Sequence, residues 1–392
     1  MLHRIKILII KTFLIVIGYL PANPKLIMFE SFQGKQYSCN PKAIYEYMLE
    51  KHPDYKMYWG VDKNYTDAFA EHHLKIVRRY SIKWLFILGF SKFWIVNSRM
   101  PTTIPKPKRT NYIQTWHGTP LKKLVFDMEE VHIPGTTKEE YKADFYQESR
   151  KWDCLLSPNR YSTEIFKRAF RFEKKLLEYG YPRNDILHNQ NTKESIELLK
   201  KKLNLPLDKK VILYAPTWRD NQFYGVGQYK FELPLDLSEL QQKYGEEYVV
   251  ILRIHYLITE NYNLNSYEGF VYDFSQRVDI SELYLVSDLL ITDYSSVFFD
   301  YANLRRPMVF YMYDIEEYRD NLRGFYFDIE KEAPGPIVKN MQELNMALEE
   351  FESHGRYVDS EENYQKFYEK YCYLENGCST ELFVKNVIGG VD

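Results

Sequence analysis

Four short stretches carry residue types that hold phosphate or move protons. Asp293-Tyr294-Ser295-Ser296 follows the apolar run Leu289 to Thr292 and leads into a second apolar segment, Val297 to Leu304. The run reads as a buried parallel strand and the segment as a helix, so Ser295 and Ser296 fall where the helix begins. Their hydroxyls, the free N–H groups of a first turn and the positive end of the helix dipole converge on one spot, which suits a phosphate. A serine N-cap without a ligand is the plainer alternative. Gln114-Thr115-Trp116-His117-Gly118-Thr119-Pro120-Leu121-Lys122 ends another strand-like run. Open α/β sheets bind ligands beyond the carboxyl ends of their strands, and a histidine there, with an ordinary pKa of about 6.5, is placed to act as a base. A structural histidine is the alternative. Arg183, in Gly180-Tyr181-Pro182-Arg183-Asn184-Asp185, is either a phosphate clamp or the partner of Asp185 in a surface ion pair. Arg253-Ile254-His255 brings a second histidine just past a strand.

The elements that must position these residues alternate. Leu26 to Phe29, Lys56 to Val61, Leu74 to Val77, Phe93 to Val96, Tyr112 to Trp116, Cys154 to Ser157 and Leu176 to Glu178 read as short buried strands. Pro41 to Glu50, Ser81 to Phe90 and Thr192 to Leu203 have helical spacing between or after them. This alternation implies a parallel, doubly wound sheet. Lys122 to Lys151 is charged and irregular, with a turn at Ile133-Pro134-Gly135, and reads as a mobile loop over the site. After a linker at Leu205-Pro206-Leu207-Asp208, a second sheet is expected from Val211 to Tyr214, Tyr248 to Ile254, Phe270 to Tyr272, Leu289 to Thr292 and Met308 to Tyr311. Helices near Met341 to Phe351 and Glu361 to Tyr371 make up the tail.

At 392 residues, with 45% hydrophobic and 17% aromatic residues, the chain is a globular protein with material for two domains. A formal net charge of -2 and the lack of any RNA- or DNA-binding motif exclude nucleic acid as a partner. Cys39, Cys154, Cys372 and Cys378 lack metal-ligand spacing and fit a reducing compartment. The apolar run Ile7 to Leu20, broken by Lys11 and Thr12 and preceded by Arg4 and Lys6, is too short to span a bilayer. Gly18-Tyr19-Leu20-Pro21-Ala22-Asn23 is a poor signal-cleavage site, which leaves an amphipathic helix in the membrane interface or a helix packed on the core.

Together these stretches make the sequence resemble the CDP-glycerol glycerophosphotransferase family, the teichoic-acid primases and polymerases. The resemblance is carried by Trp116-His117-Gly118-Thr119-Pro120, Tyr181-Pro182-Arg183-Asn184-Asp185, Ala215-Pro216-Thr217-Trp218-Arg219, Arg253-Ile254-His255, Thr292-Asp293-Tyr294-Ser295-Ser296, Phe299-Asp300-Tyr301, Arg323-Gly324-Phe325-Tyr326 and Pro334-Gly335-Pro336, in the family's order. It implies a GT-B fold, two facing Rossmann-like domains with the donor in a cleft between them. The segments expected are an interfacial membrane-associating segment at 1–21, an acceptor domain at 22–204, a nucleotide-donor domain at 205–350 and C-terminal helices at 351–392. It further implies transfer of glycerol phosphate from CDP-glycerol to an undecaprenyl-linked saccharide or glycerophosphate acceptor on the cytoplasmic face of the cell membrane, with release of CMP. Catalytic roles fall to His117 and His255. Donor contacts fall to Trp116, His117, Gly118, Thr119, Pro120, Arg183, Pro216, Thr217, Arg253, Ile254, His255, Ser295, Ser296 and Asp300. Tyr256 stands where the family usually has a proline, which leaves CDP-ribitol open as the donor. The family's polymerases tend to carry an extra N-terminal region, so a primase or short-chain transferase is expected.

The residues support the same chemistry on physical grounds. Attack of an acceptor hydroxyl on phosphorus needs a base, donors for the phosphate oxygens and stabilisation of the departing CMP. His117 suits the base, and Arg253, His255 and the Ser295/Ser296 helix start suit the pyrophosphate. No Asp-x-Asp pair stands at a strand end, so neither a metal nor a cofactor is expected. Two other readings share the groove: a GT-B glycosyltransferase using a nucleotide sugar, and a membrane-bound polymer-binding protein, which needs neither histidine.

Overall fold

The computed structural model describes residues 2–131, 135–217, 223–225, 228–229, 233–254, 264–276, 278–318 and 324–389. The apolar runs form two all-parallel sheets. In the first, β1 (Asn23–Glu30), β2 (Lys56–Val61), β3 (Ile76–Arg78), β4 (Ser91–Val96), β5 (Asn111–Gln114), β6 (Cys154–Ser157) and β7 (Lys175–Glu178) lie in the order β3-β2-β1-β4-β5-β6-β7. After β8 (Lys210–Ala215) comes a separate antiparallel pair, β9 (Phe223–Gly225) and β10 (Gln228–Tyr229). The second sheet joins β8 to β11 (Tyr248–Leu252), β12 (Val271–Asp273), β13 (Leu289–Thr292), β14 (Met308–Tyr311) and β15 (Ile337–Val338), in the order β12-β11-β8-β13-β14-β15. Both orders reverse direction after their first strand, the doubly wound pattern that the GT-B expectation requires.

Helices cover both faces of these sheets, which is why the strands read as nearly unbroken apolar runs. In the first unit Ile27, Phe29, Ile95, Ile113, Leu156 and Leu177 are buried against Ile44, Tyr45 and Met48 of α2 (Cys39–Lys51); α1 (Leu2–Ile17) precedes it. In the second, Ile212, Val250, Leu289, Ile291 and Val309 are buried with Leu344, Leu348 and Phe351 of the helix Met341–His354.

By contacts, the first unit comprises Met1–His117, Glu139–Asp185 and Leu374–Asp392, and the second Gly118–Lys138 and Ile186–Tyr373. These bounds differ from the contiguous segments expected, for identifiable reasons. The helix Lys193–Lys202 joins the second unit, where Lys202 pairs with Glu282 of the helix Ile280–Val286. The chain's end returns to the first unit. There the Asp185 carboxylate accepts the N–H groups of Ser379 (2.9 Å) and Thr380 (2.7 Å), and Glu375 accepts from Tyr181 N and Asn184 Nδ2.

One local expectation needs revision. Within 122–151 lies a helix, Lys138–Ser149. Its charged composition hides one inward face: Phe145 stacks on Phe170 at 4.9 Å, and Glu148 accepts from Tyr112 Oη at 2.6 Å and from Met100 N. The N-terminal helix α1 packs one apolar stripe inward and leaves another exposed. Leu14 and Ile17 are buried, and Ile17 reaches Gly89 of the helix α3 (Ile82–Phe90) so closely that a Cβ there would lie 2.7 Å from Ile17 Cγ2. Leu8, Ile9, Ile15 and Val16 are exposed, at i, i+7 and i+8 spacing on one stripe. No helix among the described residues is long and apolar enough to cross a membrane.

The Asp185 contacts set a stability expectation. Asp185→Ala strands two buried N–H groups, each worth about 1–3 kcal/mol. Urea unfolding should show a lowered midpoint with an unchanged slope, and a wild-type midpoint would mean the tail is held otherwise.

Candidate active site

The histidine after β5 is fixed by the backbone of the neighbouring strand. β4 and β5 run parallel with Val96 opposite Gln114, so the residues just beyond each strand meet. Trp116 takes a left-handed conformation, φ 54°, which turns the chain over the sheet edge. Asn40 Nδ2 donates to the carbonyls of Thr115 and Trp116, both at 3.2 Å. The His117 Nδ1 then lies 2.7 Å from the Asn97 carbonyl. Because a carbonyl only accepts, Nδ1 carries the proton and the Nε2 lone pair is left for chemistry. Trp116 stacks on the imidazole at 4.6 Å, and Phe32 meets it edge-on at 5.5 Å. Desolvation lowers the His117 pKa from 6.5 to about 4; the Asn97 contact opposes this and the Arg183 charge adds to it. The ring is therefore neutral at pH 7.

Arg183 is not a surface residue. It is 9% exposed, its guanidinium donates to Cys39 Sγ at 3.2 Å and lies over the Tyr181 ring, and its backbone N–H donates to Asn40 Oδ1. The Asp185 carboxylate is occupied by the C-terminal segment. Arg183 is instead a buried cation whose charge acts on His117. Trp116, His117 and Arg183 are brought together in the first unit.

In the second unit the loops after β8 and β13 meet. Thr217 N donates to Asp293 Oδ1 at 2.7 Å, tying the loop after β8 to the turn after β13. Ser295 and Ser296 are partly exposed ahead of the short helix Val297–Tyr301. Ser296 makes no side-chain cap hydrogen bond, so the plain capping role is not taken up. A Cβ on Gly118 would stand 2.9 Å from Ser296 Oγ, so the Gly118 backbone lies close to the Ser296 side chain. Thr119, Pro120, Pro216 and Asp300 are buried within the same unit. Past β11, Arg253 N donates to Tyr214 O, its guanidinium donates to Phe274 O, and Ile254 N donates to Ser275 Oγ at 3.0 Å. Burial lowers the Arg253 pKa, with Asp279 opposing. His255, Trp218, Arg219 and Arg323 lie outside the described residues. Among the described residues, no three His, Cys, Asp or Glu side chains gather as a metal site needs.

Sequence reasoning did not find Asn97, Phe32 or Asn40. Asn97 is fully buried, its Oδ1 accepts Phe32 N at 2.8 Å and its Nδ2 donates to Ser31 Oγ. The available signal was its place, one residue beyond an apolar strand next to the one that ends at His117.

The electrostatics predict a titration. In a ring-nitrogen NMR titration, His117 should stay a neutral Nδ1–H tautomer until pH falls to about 4. Removing the nearby cation with Arg183→Gln should move that midpoint upward. A midpoint near 6.5 in the wild type would refute the desolvated site.

With this geometry in view, likeness to known proteins is informative. The sequence profile described as CDP-Glycerol:Poly(glycerophosphate) glycerophosphotransferase matches residues 12–389. A teichoic acid poly(glycerol phosphate) polymerase of Bacillus subtilis (strain 168) is 58% identical over 96% of this chain, which spans about half, 50%, of that relative's length. Another so named, from Bacillus spizizenii, is 54% identical over 95% of this chain and 94% of its own. A poly(ribitol-phosphate) polymerase of the same organism is 28% identical over 88% of this chain and 54% of its own. The solved structure of the wall teichoic acid polymerase TagF superposes with a TM-score of 0.86 at 43% identity, covering 94% of this chain and 89% of that one. The chain belongs to the CDP-glycerol:poly(glycerophosphate) glycerophosphotransferase family.

Proposed function

We propose that this chain transfers glycerol phosphate from CDP-glycerol to a hydroxyl of a lipid-linked acceptor in teichoic acid synthesis, releasing CMP, and that it works as a peripheral protein on the cytoplasmic face of the membrane. One observation carries the reading: a neutral His117 with Nδ1–H engaged and Nε2 available, in a chain 58% identical to a poly(glycerol phosphate) polymerase. The acceptor oxygen forms a bond to the phosphorus that bears glycerol, its proton passes to His117 Nε2, and the phosphorus–oxygen bond to CMP breaks. Arg183 supplies positive charge near the base, and the groups after β8, β11 and β13 hold the donor's phosphates. His255 belongs to the donor contacts by the family's motif.

Glycerol is favoured over ribitol because the relatives at 58% and 54% identity are named for glycerol phosphate and the ribitol polymerase lies at 28%. Length does not favour a primase, since a relative matched over 94% of its own length is named a polymerase. The membrane placement is supported by the exposed stripe of Leu8, Ile9, Ile15 and Val16 on a helix too short to span.

Incubation with CDP-glycerol and a synthetic lipid-linked acceptor should release CMP and lengthen the acceptor in glycerol phosphate steps, read by mass spectrometry. Release of a nucleoside diphosphate from a nucleotide sugar would replace the reading with glycosyl transfer, and preference for CDP-ribitol would change the donor. His117→Ala should lower turnover by about 10²-fold or more while leaving the CDP-glycerol dissociation constant within a few fold. Near wild-type turnover would remove the base. The acid limb of kcat/KM should lie near pH 4, far below that of an ordinary histidine.

For the membrane contact, Leu8→Asp with Ile9→Asp should release the protein from anionic vesicles in a sedimentation assay, with turnover of a short soluble acceptor retained. Unchanged sedimentation would assign attachment elsewhere.

A further inference from the structure

We propose that Arg99 is an acceptor-binding residue that takes a phosphodiester of the acceptor chain close to the hydroxyl that reacts; this rests on the glycerophosphate-transfer reading above. In a doubly wound sheet the ligand crevice opens where strand order reverses. In the first unit that point lies between β1 and β4, and the chain leaving β4 runs Asn97-Ser98-Arg99-Met100. Both neighbours of Arg99 are pinned. Ser98 Oγ accepts Gln33 N at 2.9 Å and its carbonyl accepts Gln114 Nε2, while Met100 N donates to Glu148 Oε1 and Tyr112 Oη.

The partly buried guanidinium lies 4.8 Å from the centroid of Phe145 and 5.4 Å from that of Tyr141. Among the described residues it forms no ion pair. Glu148, three residues along the same helix from Phe145, is engaged by Lys151 at 3.0 Å as well as by Tyr112 and Met100. A guanidinium held by ring faces keeps its in-plane N–H groups for two oxygens of one oxyanion, the geometry arginine offers phosphate. A partly desolvated cation without an anion is costly, and a ligand phosphate would relieve it.

Phe145 packs on Trp116 at 6.3 Å, and Trp116 lies on His117, so two rings link the cation to the base. The donor contacts named above fall mostly after strands of the second sheet, which leaves the acceptor as the anion served here. A growing glycerophosphate chain carries a phosphodiester beside its terminal hydroxyl, whereas an unprimed neutral acceptor does not. Arg99 would therefore favour chains that already carry glycerol phosphate.

The test uses the full chain with Arg99→Ala and Arg99→Lys. Binding of a soluble oligo(glycerol phosphate) is measured by calorimetry beside a neutral oligoglycerol of equal length, and KM is measured for CDP-glycerol, a glycerophosphate-bearing lipid acceptor and an uncharged one. Arg99→Ala should weaken oligo(glycerol phosphate) binding and raise the charged acceptor's KM about tenfold or more. The KM values for CDP-glycerol and for the uncharged acceptor should stay within twofold, with Arg99→Lys intermediate. Equal loss with both acceptors, or a raised donor KM, would overturn the proposal. So would loss of anionic-vesicle sedimentation with oligo(glycerol phosphate) binding intact, which would mean a lipid headgroup is the ligand. If the wild type binds the oligomer through Arg99 yet does not turn over CDP-glycerol, the donor reading fails while the Arg99 site stands.

Discussion

The hydrogen bond between His117 Nδ1 and the Asn97 carbonyl is the contact on which the first unit's site depends. It exists because two parallel strands end at matched heights and Trp116 accepts a left-handed backbone to bring the next side chain back over the sheet. A carboxylate in the carbonyl's place would also hold the ring, but it would favour the protonated imidazolium. The carbonyl orients the ring with far less charge. Desolvation then decides the protonation state, and the Arg183 cation pushes the same way.

The same device recurs in the second sheet. Asn97 directly follows β4, and its side-chain oxygen accepts the N–H of Phe32 in the loop after β1. Asp293 directly follows β13, and its carboxylate accepts the N–H of Thr217 in the loop after β8. In both sheets the residue one step beyond the fourth strand in order of winding ties down the loop of the first. The reversal point leaves a crevice there, and an unpaired loop amide inside it would be free to move or to lose its hydrogen bond. One short polar side chain closes the crevice's base and leaves its rim to bind ligands.

Much of this was legible because parallel strands buried on both faces are unbroken apolar runs; β2, β6, β13 and β14 lie where those runs lie. The turn residues after β5, β8 and β13 were legible because strand ends locate ligand sites in such sheets. Contacts that join distant positions were not. Nothing local to Asp185 announces that its carboxylate caps Ser379 and Thr380, and nothing local to Asn97 tells that its carbonyl sets a tautomer. The Lys138–Ser149 helix was obscured because only Phe145, Glu148 and Ser149 are buried, and one of those is an acid satisfied by Tyr112 and Met100. The N-terminal helix was ambiguous for a different reason: its stripe toward Gly89 and its outward stripe are both apolar, so periodicity alone does not say which one is covered.

The electrostatics of the proposed base contain an opposition that substrate binding resolves. A base with a pKa near 4 is unprotonated at neutral pH but accepts a proton with little driving force, and general-base catalysis works best when the pKa lies nearer the working pH. The depression arises from desolvation and from a nearby cation, and a phosphate-transfer site needs such cations to hold oxyanions. Before substrates bind, these requirements conflict. Bound phosphates change the balance, because negative charge close to the imidazole favours its protonated form and offsets the cation. In the proposed reaction His117 would be neutral when the substrates arrive and a stronger base once their phosphates are in place. On this account desolvation, with the Arg183 charge adding to it, keeps the proposed base unprotonated until a substrate anion would offset it.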